Sequence, residues 1–411
     1  MAIGTRLEAQ RITTPPRLLD DIKFLSDDKL QGRVTGSPGA DSAAAYLARR
    51  FSEVGLQPAA GGWFQTFTVG RDAPAFHPGR AAPLEGENVI GILPGRDPVL
   101  RNQTVILGAH YDHLGLGGFG SLDPDSTGAV HNGADDNASG VAALIQVAAR
   151  LAVSPPARTV VFIAFSGEEL GLLGSAHYVK EPIYPLTSTL AMVNLDMVGR
   201  LRNGRLIVYG ARSAKEFPAL LDSLNWYAGF DLKAQGDGYG PSDQSSFYAA
   251  KRPVLHLFTD LHEDYHRTTD DWQKINVDGL KRVSDFTLGL VTALANRHRA
   301  LTFEDLPAPL PLQTSAPLTG SGYGAYLGTV PDLTGTPGGV RLVGVRAGSP
   351  AERAGLRGDD IITRIGTMET PDLQAMTDAL RSHHPGETVE IVVRRGSTIT
   401  TLRATLGTRG G

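Results

Sequence analysis

The sequence predicts an α/β fold, with a mostly parallel central sheet flanked by helices on both faces, followed by a small β-rich domain. Three observations lead there. Short, uniformly apolar runs alternate with amphipathic helical stretches from residue 88 to residue 298, as strands covered on both faces require. A proline-rich stretch at 303–311 then interrupts the pattern and suits a semi-rigid linker. Finally, 411 residues exceed what a single hydrophobic core usually fills.

In chain order, residues up to Pro16 read as an unpatterned tail, after which Leu47, Phe51 and Val54 keep helical spacing closed by Gly55. Strand-like runs follow at 89–93, 104–107, 159–165, 190–195, 206–209 and 254–258. Between them, Val141, Leu144, Ile145, Ala148 and Leu151 form one helical stripe, and Leu280, Val283, Leu290, Val291 and Leu294 another. The expected division is 16–299 for the larger domain, 300–319 for the linker and 320–408 for the smaller. In the last, β-like runs at 340–345, 389–393 and 398–402 surround one helix near 373–380.

Composition narrows the function. Hydrophobic residues at 41% and charged residues at 20% are ordinary for a packed soluble chain and exclude a disordered or fibrous one. A net charge of -4 offers no basic face for nucleic acid, and no apolar run reaches the roughly 20 residues of a membrane span. With no cysteine, a transition metal must be held by His, Asp and Glu. The start, Met1-Ala2-Ile3-Gly4, has neither the basic nor the apolar region of an export signal.

Chemistry-bearing residues gather where strands should end. In Gly108-Ala109-His110-Tyr111-Asp112-His113, His110 and Asp112 point to one side of the sheet edge, where α/β proteins bind ligands. A metal-bound imidazole usually gives its second proton to a carboxylate or carbonyl, a role that fits Asp112. Gly133-Ala134-Asp135-Asp136-Asn137-Ala138-Ser139-Gly140 puts two acids before a helix. Helix capping explains one acid; two among small residues fit a carboxylate pressed against a metal. Glu168 and Glu169, in Ser166-Gly167-Glu168-Glu169-Leu170, are neighbours whose side chains diverge, so one can bind a metal while the other serves as general base. Asp196 and His266 follow two further strand-like runs. Singly each is an ordinary turn or loop residue; together with the others they form a ligand set suited to zinc. His113 and His131 are left unassigned, since lone loop histidines are usually solvated, and His262 is read as a non-ligand in a loop.

Five motifs in order, AHYDH, GADDNASG, SGEELG, NLDM and DYHRTTD, resemble the di-zinc exopeptidase family of bacterial leucyl aminopeptidases over most of residues 20–298. The resemblance implies the zinc exopeptidase fold and two Zn ions per chain, with Mn or Co as substitutes. His110 and Asp196 would hold one ion, Glu169 and His266 the other, and Asp136 would bridge them. Glu168 becomes the general base for water shared by the ions, Asp112 the acid behind His110, and Tyr239 a residue that stabilises the tetrahedral intermediate. It also implies a cis peptide between Asp136 and Asn137, peptide substrates, and a periplasmic or secreted location.

The stretch 348–362, GSPAERAGLRGDDII, resembles the PDZ signature of bacterial exported proteases. By that resemblance Tyr326, Leu327 and Gly328 belong to the loop whose N–H groups receive a peptide's terminal carboxylate, so a peptide ligand of this domain is a second expected partner. The function expected overall is aminopeptidase. A carboxypeptidase, a glutaminyl cyclase-like transferase and a non-catalytic peptide-binding protein are the alternatives.

Overall fold

The computed structural model describes residues 17–69, 84–117, 120–123, 126–236, 238, 242–305, 325–331, 338–345, 348–371, 375–376, 379–380, 382–384 and 386–407. The tail before Arg17, most of the expected linker and Tyr239 lie outside these residues, as does part of the helix expected near 373–380. The chain divides into two compact units. The larger holds the described residues up to Asp305 and the smaller those from Ala325 onward; two loop segments, 121–127 and 261–265, belong to the smaller.

In the larger unit nine strands form one mixed sheet. They are β1 (Gln57–Pro58), β2 (Phe64–Val69), β3 (Leu84–Leu93), β4 (Thr104–His110), β5 (Thr159–Phe165), β6 (Thr189–Leu195), β7 (Arg205–Tyr209), β8 (Asp231–Gln235) and β9 (Val254–Phe258). Their order is β1-β3-β5-β4-β6-β9-β7-β8, with β2 pairing β3 alongside β1. The centre β5-β4-β6-β9 is parallel, so all four of its carboxyl ends open on one edge. The flanks are antiparallel where β3 meets β5 and β7 meets β9.

Strand period sorts the core into two layers. Val105, Leu107 and Ala109 of β4 and Val160, Phe162 and Ala164 of β5 pack with α1 (Leu18–Leu25), α2 (Pro38–Glu53), α3 (Gly140–Val153), α5 (Phe217–Ala228) and α7 (Val277–Asn296). Ile106, Val161, Ile163 and Phe165 face the other way, onto Tyr178 of α4 (Leu173–Lys180) and Phe247 and Tyr248 of α6 (Gln244–Ala249). Each Leu, Ile or Phe fully buried this way contributes about 1.5–3 kcal/mol.

Polar contacts fix the helical layer. Ser37 caps α2 by accepting from Ala40 N–H, with Pro38 at the first turn. Arg50 of α2 grips Asp21 of α1 with two bonds of 2.7 and 3.1 Å, and Tyr46 adds a third at 2.6 Å. Beyond α7, Glu304 N–H donates to Ser213 and Lys215 N–H to Thr302, tying residues 302–304 to the larger unit.

The smaller unit is an antiparallel six-stranded sheet built from β10 (Thr329–Pro331), β11 (Val340–Val345), β12 (Ile361–Ile365), β13 (Met368–Glu369), β14 (Thr388–Arg395) and β15 (Thr398–Thr405). Its core gathers Leu327, Leu342, Ile362, Ile365, Ile391, Val393 and Leu406. Ser349 caps the short helix α8 (Pro350–Arg353), and buried Asp360 accepts from the Arg395 guanidinium at 2.6 and 2.7 Å and from Arg357 N–H at 3.0 Å.

Candidate metal centre

The open edge of the parallel centre carries the site. His110 ends β4, the Glu168–Glu169 pair follows β5, Asp196 follows β6 directly, and His266 lies in the loop after β9. Asp136 sits in the turn Ala134–Ser139 that leads into α3. These residues meet: Asp136 Oδ1 lies 3.3 Å from His110 Nε2, and its Oδ2 lies 3.1 Å from His266 Nε2. On the first side Asp196 Oδ1 completes the group, 3.3 Å from His110 Nε2; on the second, Glu169 Oε2 does so, 3.2 Å from His266 Nε2.

Local sequence explains the turn that presents Asp136. Gly133 is left-handed at φ 55°, and a Cβ there would come within 2.2 Å of the Asp136 carbonyl and 2.5 Å of the His113 ring. Asp270 Oδ2 accepts from the N–H groups of Asp135 and Asp136 at 2.9 and 3.0 Å. The peptide between Asp136 and Asn137 is cis. Asn137 then bonds the β6 end, donating to the Leu195 carbonyl at 2.9 Å and accepting from Met197 N–H at 3.2 Å. The two adjacent acids have separate work: Asp135 Oδ1 accepts from Gly199 N–H at 2.6 Å, while Asp136 faces the histidines.

Behind β4 stands a segment that sequence reasoning missed. Arg33, wholly buried, donates to the carbonyls of Tyr111 at 2.8 Å, Asn132 at 2.7 Å and Gly133 at 3.1 Å, and also to that of Leu25. Thr35 donates to Asp112 Oδ2 at 3.1 Å. Asp112 in turn accepts from Glu168 N–H through Oδ1 at 3.2 Å. His110 Nδ1 is 3.2 Å from the Asp112 carbonyl and 3.8 Å from its Oδ1.

Charge is concentrated here. Burial works against the protonated imidazoles, yet Asp196 and Glu168 hold His110 well above the usual histidine range, and Glu169 and Asp136 do the same for His266. Burial tends to raise Glu169, but His266 and the hydrogen bond from His113 keep it down at about 2. Burial pushes Asp112 up to about 6 and Glu168 well above the usual carboxyl range; His110 opposes both, and the neighbouring Glu169 adds to both.

His113, expected to be solvated, is buried, with Nδ1 2.8 Å from Glu169 Oε1. The signals for these overlooked residues were faint. His113 sits beside the His110–Asp112 pair, and Gly32-Arg33 belongs to a glycine- and polar-rich stretch between helices, 31–37. His131 keeps its Nδ1 3.1 Å from the Ala129 carbonyl. In the smaller unit, Tyr326 N–H is committed to the Gly407 carbonyl at 2.9 Å. Leu327 is buried, and Gly328 turns left-handed at φ 82°.

The donor set fits zinc. Ligand atoms at about 2.0–2.1 Å around a tetrahedral zinc stand roughly 3.3 Å from one another, and the four contacts joining Asp136, Asp196 and Glu169 to the histidines span 3.1–3.3 Å. Imidazole and carboxylate are also the donors that remain in a chain without cysteine.

Comparison with known proteins agrees. Residues 88–291 match peptidase family M28, and residues 323–406 match the PDZ domain. The chain is 32% identical over 264 residues to leupeptin-inactivating enzyme 1 of Streptomyces exfoliatus, covering 62% of this chain and 50% of that one. It is 29% identical over 240 residues to aminopeptidase YwaD of Bacillus subtilis, covering 56% and 48%. This chain spans about half the length of the curated relatives it matches. In fold it resembles a Zn-dependent exopeptidase from Parabacteroides distasonis, with a TM-score of 0.56 at 20% identity, covering 69% of this chain and all of that one. By its ordered motifs and by these matches, residues 88–291 of this chain belong to peptidase family M28 and residues 323–406 to the PDZ domain.

Proposed function

We propose that this chain is a two-zinc aminopeptidase that removes residues from the amino ends of peptides, with Glu168 as the group that carries the proton. The observation behind this reading is Asp136, whose two oxygens face two different histidines, each backed by a further carboxylate. His110, Asp136 and Asp196 would hold one ion, and Asp136, Glu169 and His266 the other. Such ions supply Lewis-acid polarisation of the peptide carbonyl and easier ionisation of water at neutral pH.

The chain's own residues divide the remaining work. Glu168 takes a proton from the attacking water on its carboxylate and returns it to the leaving amine. Asp112 fixes the backbone of Glu168 with Oδ1 and meets His110 with its carbonyl, so one residue orients both. Tyr239, outside the described residues, is assigned the developing oxyanion.

Charge supports action at the amino end. Carboxylates of Asp112, Asp136, Glu168, Glu169 and Asp196 crowd the site, which suits a substrate's ammonium group. A carboxypeptidase needs a cation free for the terminal carboxylate, and Arg33, a buried cation beside this site, has its donors turned to backbone carbonyls. The PDZ domain is assigned a peptide ligand or a part in regulating access.

Aminoacyl anilides and their N-acetylated forms, assayed with and without a chelator, test the reading. Free amines should be cleaved, acetylated ones spared, and activity should vanish on chelation and return with zinc. Cleavage that needs a free carboxylate and ignores the amine would overturn it.

A further inference from the structure

We propose that His113 is a positioning residue for the second metal position: it locks Glu169 so that one oxygen, Oε2, is presented to the ion. The proposal rests on the two-zinc reading above. A glutamate that ligates a metal does so as a carboxylate, and a carboxylate only accepts hydrogen bonds. The proton in the 2.8 Å contact therefore lies on His113 Nδ1 and points at Oε1. The other oxygen, Oε2, is left 3.2 Å from His266 Nε2, on the side shared with Asp136 Oδ2. A glutamate has three rotatable bonds and swings between one- and two-oxygen binding; fastening Oε1 removes that freedom.

The surroundings of His113 are built to hold the ring in place. Its backbone N–H faces the Arg33 carbonyl at 3.4 Å. One face lies against Gly133, where a Cβ would come within 2.5 Å of both Cγ and Cδ2. The ring stands edge-on to His266, centroids 5.9 Å apart. His113, Asp136 and Glu169 bring ligand-type atoms within 4.8 Å of one another, and His113 Nε2 is buried without a hydrogen-bond partner. A solvated loop histidine would have neither nitrogen in that state. The ring thus touches both the turn that bears Asp136 and the loop that bears His266, while its one bonded nitrogen is spent on Glu169.

The full chain should be loaded with zinc and compared with His113→Leu, His113→Asn and His113→Gln. An Asn amide lies near the place of Nδ1, and a Gln amide near that of Nε2. Zinc affinity is read by competition with a chromophoric chelator, the ligand field by the visible spectrum of the cobalt-loaded protein, and turnover by kcat and KM separately. His113→Leu should weaken one zinc equivalent by about 10–100-fold and leave the other within about twofold. It should also change the cobalt spectrum and lower kcat more than it raises KM. His113→Asn should recover most of the lost affinity and His113→Gln little, a contrast that holds even if His113→Leu fails to fold. Wild-type affinity for both equivalents in His113→Leu overturns the proposal, and so does an Asn variant no better than Gln. A wild-type chain that takes up a single zinc overturns the two-zinc reading itself, a result distinguishable because no variant is needed to obtain it.

Discussion

Asp270 holds Asp136 by its backbone: Oδ2 of Asp270 accepts the Asp136 N–H at 3.0 Å while leaving the Asp136 carboxylate free to face the two histidines. The same oxygen takes the Asp135 N–H at 2.9 Å. Replacing Asp270 by Ala strands two buried donors, at about 1–3 kcal/mol each, and lets the turn drift. Asp270→Ala is expected to lower the unfolding midpoint and reduce zinc affinity about 10–100-fold, with Asp270→Asn intermediate. Equilibrium unfolding and chelator competition measure the two effects, and intact zinc affinity in the Ala variant would count against this anchoring.

Sharing and non-sharing ligands should separate by metal count. Asp136 offers one oxygen to each side, whereas Asp196 and Glu169 serve one side each. Asp136→Ala is expected to lose both zinc equivalents after dialysis, and Asp196→Ala or Glu169→Ala one. Elemental analysis of the dialysed proteins decides; retention of one tight equivalent in Asp136→Ala contradicts a bridging role.

Much of this centre was legible because a parallel sheet sends every strand's carboxyl end to one edge. His110, Glu168, Glu169 and Asp196 could be assigned to that edge by finding where apolar runs stop. The antiparallel flanks at β3 and β7 were not legible, since an apolar run looks the same in either direction. The pair Asp135–Asp136 was divided in the sequence only by the family resemblance, because Asp135 is defined by its bond to Gly199 N–H, a neighbour in space alone. Arg33 lies 78 residues before the carbonyl of Tyr111 that it grips, and its targets are backbone atoms, which carry no residue identity to read. His113 was passed over because a histidine beside a metal motif has the same spacing whether it meets water or Glu169.

Glu168 contacts the framework through its backbone N–H, 3.2 Å from Asp112 Oδ1, so its carboxyl can be neutralised without disturbing the ligands. Glu168→Gln is expected to keep both zinc ions and the wild-type unfolding midpoint while kcat falls by about 10²–10⁴. Steady-state kinetics on an aminoacyl anilide, together with zinc analysis of the same sample, tests this. Comparable kcat in the zinc-loaded Gln variant refutes the proton-carrying role.

Without metal, the histidines stand in for the ions. His110 and His266 are held protonated well above the ordinary range by the carboxylates around them. A raised histidine contributes stability that is fully present below its unfolded value, about 6.5, and is lost as pH rises through the folded one. The chelated protein should therefore lose thermal stability between neutral and alkaline pH, as Asp136, Asp196 and Glu169 are left facing uncharged rings. Zinc-loaded protein should show a much flatter profile, and zinc binding at pH 7 should release about two protons. Calorimetry in buffers of differing ionisation enthalpy counts them; no release would mean the histidines were already neutral.

Arg33 is a buried cation whose donors all meet main-chain carbonyls, on three stretches of chain: the end of α1, the residue after His110, and the approach to Asp136. Burial pulls its pKa down to about 10, with Asp112 and Asp136 foremost among the acids that oppose the fall, so it remains charged at neutral pH. Lysine keeps the charge but concentrates its donors at one point and cannot span carbonyls on separate segments. Removing the guanidinium strands buried acceptors at about 1–3 kcal/mol each. Arg33→Met is therefore expected to cost at least about 3 kcal/mol of unfolding free energy and to weaken both zinc equivalents together, because the turn of Asp136 and the strand end of His110 are released at once. Arg33→Lys should recover a minor part. Denaturant unfolding and zinc competition on both variants give the answer, and a lysine variant equal to wild type would show that charge alone, rather than the fork of donors, secures the two segments.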